Sequence, residues 1–328
     1  MQNLRSPADL PAASTRRRRH RPFGAVLAVL AALTLLLLAC TVTERHLNAG
    51  DRERFPPPGR LILVDGAVMH LSCSGAGHPT VVLEAGLGES SLTWSTVRQS
   101  LSGTTRVCSY DRAGYGWSED RDRPWTASAA ASELSTLLAT AGETGPYVLV
   151  AHSLGSFVAC EFVAAQRDRV TGLVLLDPTN EATVRSAGRP LPAILQSRLL
   201  GVLVRLGAVR WVGHRLVPAL VDAQPPQGLL TRLPMAYTSS STGATIAELE
   251  GSVASAEHLA PPNQPVLGDI SVTVVSAATA TETDRRQHRS LTRLSRRGSH
   301  LVMTSGGHYL HYTEPETVVE IVKTATLR

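Results

Sequence analysis

The chain has 328 residues, enough for one large α/β domain with an insertion and a leader. Hydrophobic residues make up 43% and charged residues 18%, which describes a protein with a real core and excludes a disordered one. The net charge of +5 does not point to nucleic acid: Arg16, Arg17, Arg18, Arg19 and Arg21 cluster ahead of the first apolar run, and no aromatic residue interleaves with them.

Residues 1–22 therefore read as a basic leader. Phe23 to Val42 follows without a charge, about the length a helix needs to span a bilayer. Behind it the charges are mixed (Glu44, Arg45, Asp51, Arg52, Glu53, Arg54), so the positive-inside rule puts the leader in the cytoplasm and the rest outside. An uncleaved signal-anchor is expected. Leu37-Leu38-Ala39-Cys40 also resembles a lipoprotein signal, and a cleaved secretory signal is the third outcome. Residues 43–60, with Pro56-Pro57-Pro58, read as a proline-rich linker between membrane and domain.

From Leu61 onward strand and helix patterns alternate, the signal for a mostly parallel sheet covered on both faces. Leu61–Val64 and Val68–Cys73 read as an antiparallel pair turning at Asp65-Gly66. Thr80–Ala85 is a buried strand, Ser91–Leu101 a helix, and Arg106–Tyr110 a strand. Thr126–Ala141 is a helix closed by Gly142. Strand Tyr147–His152 and helix Leu154–Gln166 follow. Leu173–Leu176 and Val272–Ser276 are further strands. Asp284–Arg297 reads as a helix, His300–Thr304 as a strand and Pro315–Thr326 as the last helix. About ninety residues between Asp177 and Asp269 have no strong strand pattern, and a mainly helical insertion, at about 180–268, fits them. None of the spacings among Cys40, Cys73, Cys108 and Cys160 suits zinc. Export permits a disulfide between Cys73 and Cys108, but buried free thiols are the expectation.

Ser153 sits where an apolar strand breaks into a small-residue turn and then a helix. Such an elbow forces a serine hydroxyl out of the fold, and the neighbours Ala151 and Gly155 give A-x-S-x-G. The base that a serine nucleophile needs is best supplied by His308, which follows a strand through Gly306-Gly307. Four segments in order carry a family resemblance: Glu84-Ala-Gly-Leu-Gly88, Tyr110-Asp-Arg-Ala-Gly-Tyr-Gly-Trp-Ser118, Ala151-His-Ser-Leu-Gly155 and Gly306-Gly-His-Tyr-Leu-His-Tyr-Thr-Glu-Pro315. From Leu61 to Arg328 the chain resembles the α/β-hydrolase superfamily, which implies an eight-stranded, mostly parallel sheet with helices on both faces and a helical lid in the insertion.

The resemblance implies an oxyanion hole from the backbone N–H groups of Leu87 and Leu154, with Gly86 and Gly88 beside it at the pocket. It makes His311 a supporting residue, while strand alternation makes His152 structural. The triad acid usually follows the penultimate strand, where Thr279-Ala280-Thr281 stands here. Asp177, at the end of the preceding strand, is the choice, with Asp284 or Glu282 as alternatives. Asp111 and Arg112 are expected to pair with each other, and Tyr115 and Trp117 to border the pocket.

Together these features read as a membrane-tethered or exported serine hydrolase acting on an ester or related acyl bond of a hydrophobic small molecule or lipid. Serine peptidases, carbon–carbon hydrolases and perhydrolases share the pattern, and a non-catalytic surface binding protein of the same fold is the reading from another class. No metal or organic cofactor is implied.

Overall fold

A computed structural model describes residues 21–221, 223–259 and 266–327. All but the end of the 1–22 leader lies outside the described residues. The apolar run forms helix α1 (Arg21–Arg54), which continues past Val42 through the first two thirds of the expected linker. No proline interrupts Thr43–Arg54, and its outer turns gain a partner in the insertion. The non-helical connection is therefore confined to Phe55–Gly59.

Strand β1 (Arg60–Val64) and strand β2 (Ala67–Ser74) pair antiparallel through Asp65 and Gly66. Both turn residues have positive φ (47° and 85°), as a two-residue hairpin with right-handed strand twist requires. Strand β3 (Thr80–Glu84), a 3₁₀ turn (Ser91–Trp94), helix α2 (Ser95–Leu101) and strand β4 (Val107–Tyr110) follow. Helix α3 (Ala127–Ala141) is capped by the Thr126 side chain and closed by left-handed Gly142. Strand β5 (Tyr147–His152), helix α4 (Gly155–Ala165) and strand β6 (Val170–Leu176) follow, with β5 beside β3 at the centre of the sheet.

The insertion is helical: α5 (Glu181–Ala187), α6 (Leu191–Arg205), α7 (Ala208–Val221), α8 (Gln227–Leu230), α9 (Leu233–Ala236) and α10 (Ser239–His258). Strand β7 (Ser271–Ser276) returns to the sheet. Helix α11 (Glu282–Leu291) is shorter than the sequence pattern suggested, because the chain tightens into a 3₁₀ turn at Thr292–Leu294. Strand β8 (Gly298–Val302), helix α12 (Leu310–Thr313) and helix α13 (Pro315–Thr326) complete the fold.

The eight strands lie in the order β1-β2-β4-β3-β5-β6-β7-β8, with β2 antiparallel to both neighbours and every other pair parallel. Strand alternation divides the core in two. Val82, Leu149 and Leu173 pack with Leu134 of α3 and Phe157 of α4. Val81, Leu83, Val148 and Val150 face the other way, toward Val97 of α2 and Val318 of α13. All β3 and β5 residues are buried, as a parallel sheet covered on both faces demands.

Cys73 and Cys108 are not free thiols. They stand directly opposite one another in the β2–β4 pairing and form a disulfide that closes a separation of 35 residues. Strand patterns alone do not give this register. Cys40 and Cys160 remain free. Thiol titration of the unreduced, denatured chain should therefore find two reactive groups of the four. Replacing both bridge cysteines by serine should lower stability by about 2–4 kcal/mol, read by urea unfolding.

Candidate active site

Ser153 occupies the sharp turn between β5 and α4 with φ of +50°, a backbone conformation that side-chain-bearing residues rarely adopt. Its N–H donates to the carbonyl of Leu176 (3.1 Å), so the sheet ladder holds the turn from below. A Cβ at Gly155 would lie 2.4 Å from the Ala85 carbonyl oxygen, so glycine is what lets α4 reach the end of β3. Ala151 is fully buried in the core beside α4, and its methyl is accommodated.

Asp177 directly follows β6 with φ of +40°. One carboxylate oxygen accepts the Ala277 N–H (2.8 Å) and the other accepts His308 Nδ1–H (2.7 Å). Burial raises this carboxyl. The bonds from His308 and Ala277, with the charges of His308 and His288, outweigh burial and hold it below its ordinary value. With its proton on Nδ1, His308 presents a lone pair at Nε2, 3.0 Å from Ser153 Oγ. Ser153, His308 and Asp177 thus form one continuous hydrogen-bonded line. Asp284 is elsewhere, sharing a capping box with Thr281 at the start of α11, and Glu282 is exposed in the same turn.

Leu87 and Leu154 flank the serine on two sides of a cavity of about 200 Å³. Neither backbone N–H has an acceptor among the described residues, which leaves both free for a bound oxygen. The turn that carries Leu87 is fixed by Glu89, whose carboxylate accepts the Gly86 N–H (2.6 Å) and the Tyr312 hydroxyl (3.1 Å) and meets His152 Nδ1 (2.9 Å). His152 Nε2–H in turn donates to the His308 carbonyl (3.0 Å). Burial raises Glu89, and His152 and His311 outweigh it, leaving the carboxyl well below its usual range. His152 therefore ties the Leu87 turn to the His308 loop from the face of β5 opposite α4. His311 stacks on Trp94 and lies 3.3 Å from Glu89. Glu89, His152 and His311 are close enough to share an ion, but the lone pairs of Glu89 are directed to these hydrogen-bond donors.

Arg112 does not pair with Asp111. Its guanidinium is buried and bonds Glu84 (2.6 Å), the carbonyls of Ala85 (2.6 Å) and Gly86 (2.7 Å), and Glu248 of α10 (2.7 Å). Asp111 instead binds His70 and the backbone N–H groups of Ser91 and Trp117. Burial raises the Glu84 carboxyl to about 7 despite Arg112 and the Tyr110 hydroxyl. Burial lowers Arg112, but Glu248 and Glu84 hold it well above its ordinary value.

Several pocket expectations are corrected. Tyr115 is fully buried and bonds Glu248 and Thr245. Trp117 bonds the Phe55 carbonyl and packs against Leu92, Leu229 and Ala236. The turn bearing these two rings faces the insertion and the α1 connection, so neither lines the Ser153 cavity. Gly86 is pressed against His152 and Glu89, and Gly88 faces Thr245. The cavity wall comes mainly from the insertion, through Thr183, Val184, Ala187, Pro190 and Leu249. Thr179, 3.4 Å from Ser153 Oγ, was not singled out from sequence, nor were Glu89 and Glu248. A carboxylate directly after the glycine turn was the one available signal, and it belongs to Glu89.

The sequence profile of the alpha/beta hydrolase family matches residues 81–321. An AB hydrolase superfamily protein of Gibberella zeae is 27% identical over 281 residues, which cover 75% of this chain and 85% of that one. YqjL of Bacillus subtilis is 34% identical over 116 residues, 35% of this chain and 46% of YqjL, so that match spans less than half of the relative. The enol-lactonase of Burkholderia xenovorans superposes with a TM-score of 0.62 at 18% identity, over 82% of this chain and 100% of that one. The Cif epoxide hydrolase of Acinetobacter nosocomialis gives 0.68 at 14% identity, over 87% and 96%. At these identities the structures share the fold.

Removing Arg112 leaves two buried carboxyl groups without their cation, so Arg112→Met should cost about 3–5 kcal/mol in urea unfolding. Glu84 also predicts a pH slope. A carboxyl raised in the folded state contributes stability that is full below its unfolded value of 4.5 and is lost as pH rises through about 7. The Glu84→Gln variant should show a shallower decline of stability than the native chain across that window. An equal slope would contradict the raised carboxyl.

Proposed function

The chain belongs to the alpha/beta hydrolase family, and from that premise we propose that it is a serine hydrolase cleaving an ester or related acyl bond through a covalent acyl-enzyme. The observation that carries this reading is the line from Asp177 through His308 to Ser153 Oγ, with bonds of 2.7 and 3.0 Å. His308 Nε2 accepts the hydroxyl proton as Ser153 Oγ attacks the acyl carbon, then returns it to the leaving oxygen. Asp177, ionised, fixes the tautomer and stabilises the imidazolium that forms. The negative oxygen of the tetrahedral intermediate takes the N–H groups of Leu87 and Leu154, each donor of this kind being worth about 3–4 kcal/mol. A water repeats the sequence to release the acid.

The cavity walls of Leu87, Val184, Ala187, Pro190 and Leu249 suit an apolar acyl group or a hydrophobic alcohol. An ester or lactone substrate is compatible with the enol-lactonase likeness. Epoxide hydrolases of this fold attack with an aspartate, and a serine at position 153 argues against that chemistry. The Asp177 carboxylate, 2.7 Å from His308 Nδ1, supports the catalytic reading over a non-catalytic binding protein. The α1 helix and the Cys73–Cys108 disulfide favour a membrane-anchored protein with its domain on the oxidising, extracytoplasmic side.

Ser153→Ala should abolish p-nitrophenyl ester turnover and fluorophosphonate labelling; persistent turnover would overturn the assignment. Its thermal midpoint should not fall. Asp177→Asn should lower kcat by roughly three to four orders of magnitude, while Asp284→Asn should leave it within about twofold. Loss in the Asp284 variant alone would place the acid on α11.

A further inference from the structure

The helical insertion carries an apolar surface that nothing in the described chain covers. Helix α6 buries Ile194 and Val204 inward, yet it also exposes Leu191, Leu195, Leu199 and Val202. Their spacing of four, four and three residues makes one stripe along the helix. Trp211 and Val212 of α7, which meets α6 at a bend of 116°, are exposed as well, Trp211 at 74%. A helix on a solvated surface is polar on its outer side. From Leu191 to Val221 there are four arginines (Arg198, Arg205, Arg210, Arg215) and no acidic residue.

The position of this surface relative to α1 identifies its partner. The apolar half of α1 touches nothing else among the described residues, whereas its outer turns are bolted to the insertion. Arg210 binds Glu44 through two nitrogens (3.0 Å each), Asn48 (3.0 Å) and Asp51 (2.5 Å), residues that share one face of α1. Gly207, between α6 and α7, abuts the Glu44 carboxylate so closely that a Cβ would lie 2.8 Å from it. At about 1.5 Å per residue, Glu44 and Asp51 stand only roughly 3–14 Å beyond Val42, where the apolar run ends. The corner of α6 and α7 is thus held at the level of the headgroups of any bilayer that α1 crosses.

We propose that α6 and α7 lie in the headgroup–acyl boundary of an anionic bilayer, with Leu195, Leu199 and Trp211 inserted, Arg198, Arg205 and Arg215 on lipid phosphates, and the Arg210 clamp fixing the depth. Basic, apolar helices with tryptophan at one end are the chemistry such a boundary takes up. The cavity at Ser153 is walled by Ala187, Gly188 and Pro190, the residues that lead directly into α6. Its substrate is therefore an acyl ester dissolved in the membrane, delivered from the bilayer rather than from water. This loading route rests on the acyl-hydrolase reading; the docking of the two helices does not.

The test uses the full chain reconstituted in phosphatidylglycerol–phosphatidylcholine vesicles. Lipids brominated on acyl carbons near the headgroup should quench tryptophan fluorescence, and Trp211→Phe, which preserves packing, should lose most of that quenching. The Leu195→Glu/Leu199→Glu variant should turn over a fluorogenic oleoyl ester dissolved in the vesicles at least about tenfold more slowly, with a water-soluble p-nitrophenyl acetate unaffected. Quenching that Trp211→Phe leaves intact would overturn the docking, as would a chain that fails to remain with the vesicles. A stripe covered by a second copy would reveal itself as a dimer that the double glutamate variant dissociates, which also overturns it. Equal slowing on both esters would overturn delivery from the bilayer. If the native chain hydrolyses neither ester, the acyl-hydrolase reading falls, and the Trp211 quenching still decides the docking.

Discussion

The arrangement around Ser153 depends on one buried guanidinium. Arg112 sits among Glu84 at the end of β3, the carbonyls of Ala85 and Gly86, and Glu248 from the middle of α10. A cation without water is tolerable only when nearly every N–H finds an acceptor, and here they do. Two things follow from where the acceptors lie. The backbone between β3 and the Leu87 turn cannot drift, because two successive carbonyls are held by the same rigid fork. The insertion cannot separate from the sheet at α10 without stranding a charge. The turn whose N–H groups stay open beside Ser153 and the helix that walls its cavity are therefore positioned by one side chain.

On the opposite side of the same turn, Glu89 and His152 perform the complementary task. Glu89 holds the Gly86 N–H, while Arg112 holds the Gly86 carbonyl, so the peptides around this residue are gripped from both directions. His152 passes the restraint to the carbonyl of His308. In the proposed mechanism, preorganisation of this kind means that donors and base need not be recruited when a substrate enters. It also explains why a glycine stands at position 86: a Cβ there would lie 2.7 Å from His152 Nδ1.

Much of this was legible in the sequence because its signals are local. Apolar runs of four to six residues gave β3, β5, β6 and β7, and the Asp65-Gly66 pair gave the hairpin. The A-x-S-x-G turn gave Ser153, and Gly306-Gly307 gave the loop that delivers His308. What was not legible rests on pairs far apart in the chain. Cys73 meets Cys108 only through the β2–β4 register. Arg112 reads as a partner for the adjacent Asp111 until the fold brings Glu248 to it across 136 residues. The proline-rich segment before β1 reads as a linker from Thr43, yet Arg210 supplies Glu44, Asn48 and Asp51 with a reason to remain helical. The stripe of α6 was visible as leucines, but sequence cannot tell an inner face from an outer one when both are apolar.

The position of Asp177, the acid of the proposed triad, follows from how the strand ends are used. In the sequence, the place after β7 offers only Ala277-Ala278-Thr279-Ala280, which contains no carboxylate. The structure employs that strand end differently: the Ala277 N–H bonds Asp177 from the side opposite His308. Asp177 reaches this place because β6 and β7 are parallel neighbours in register, and its own N–H extends their ladder to the Val275 carbonyl. A positive φ at Asp177 then turns the carboxylate toward His308. His288 of α11 closes the remaining side, held by Ser276 and the Pro178 carbonyl, and burial lowers its own ionisation below the ordinary value. The strand next to the acid thus supplies a donor, and the helix after it supplies a wall. An aspartate one strand nearer the serine can then meet the same imidazole nitrogen that an acid after β7 would meet.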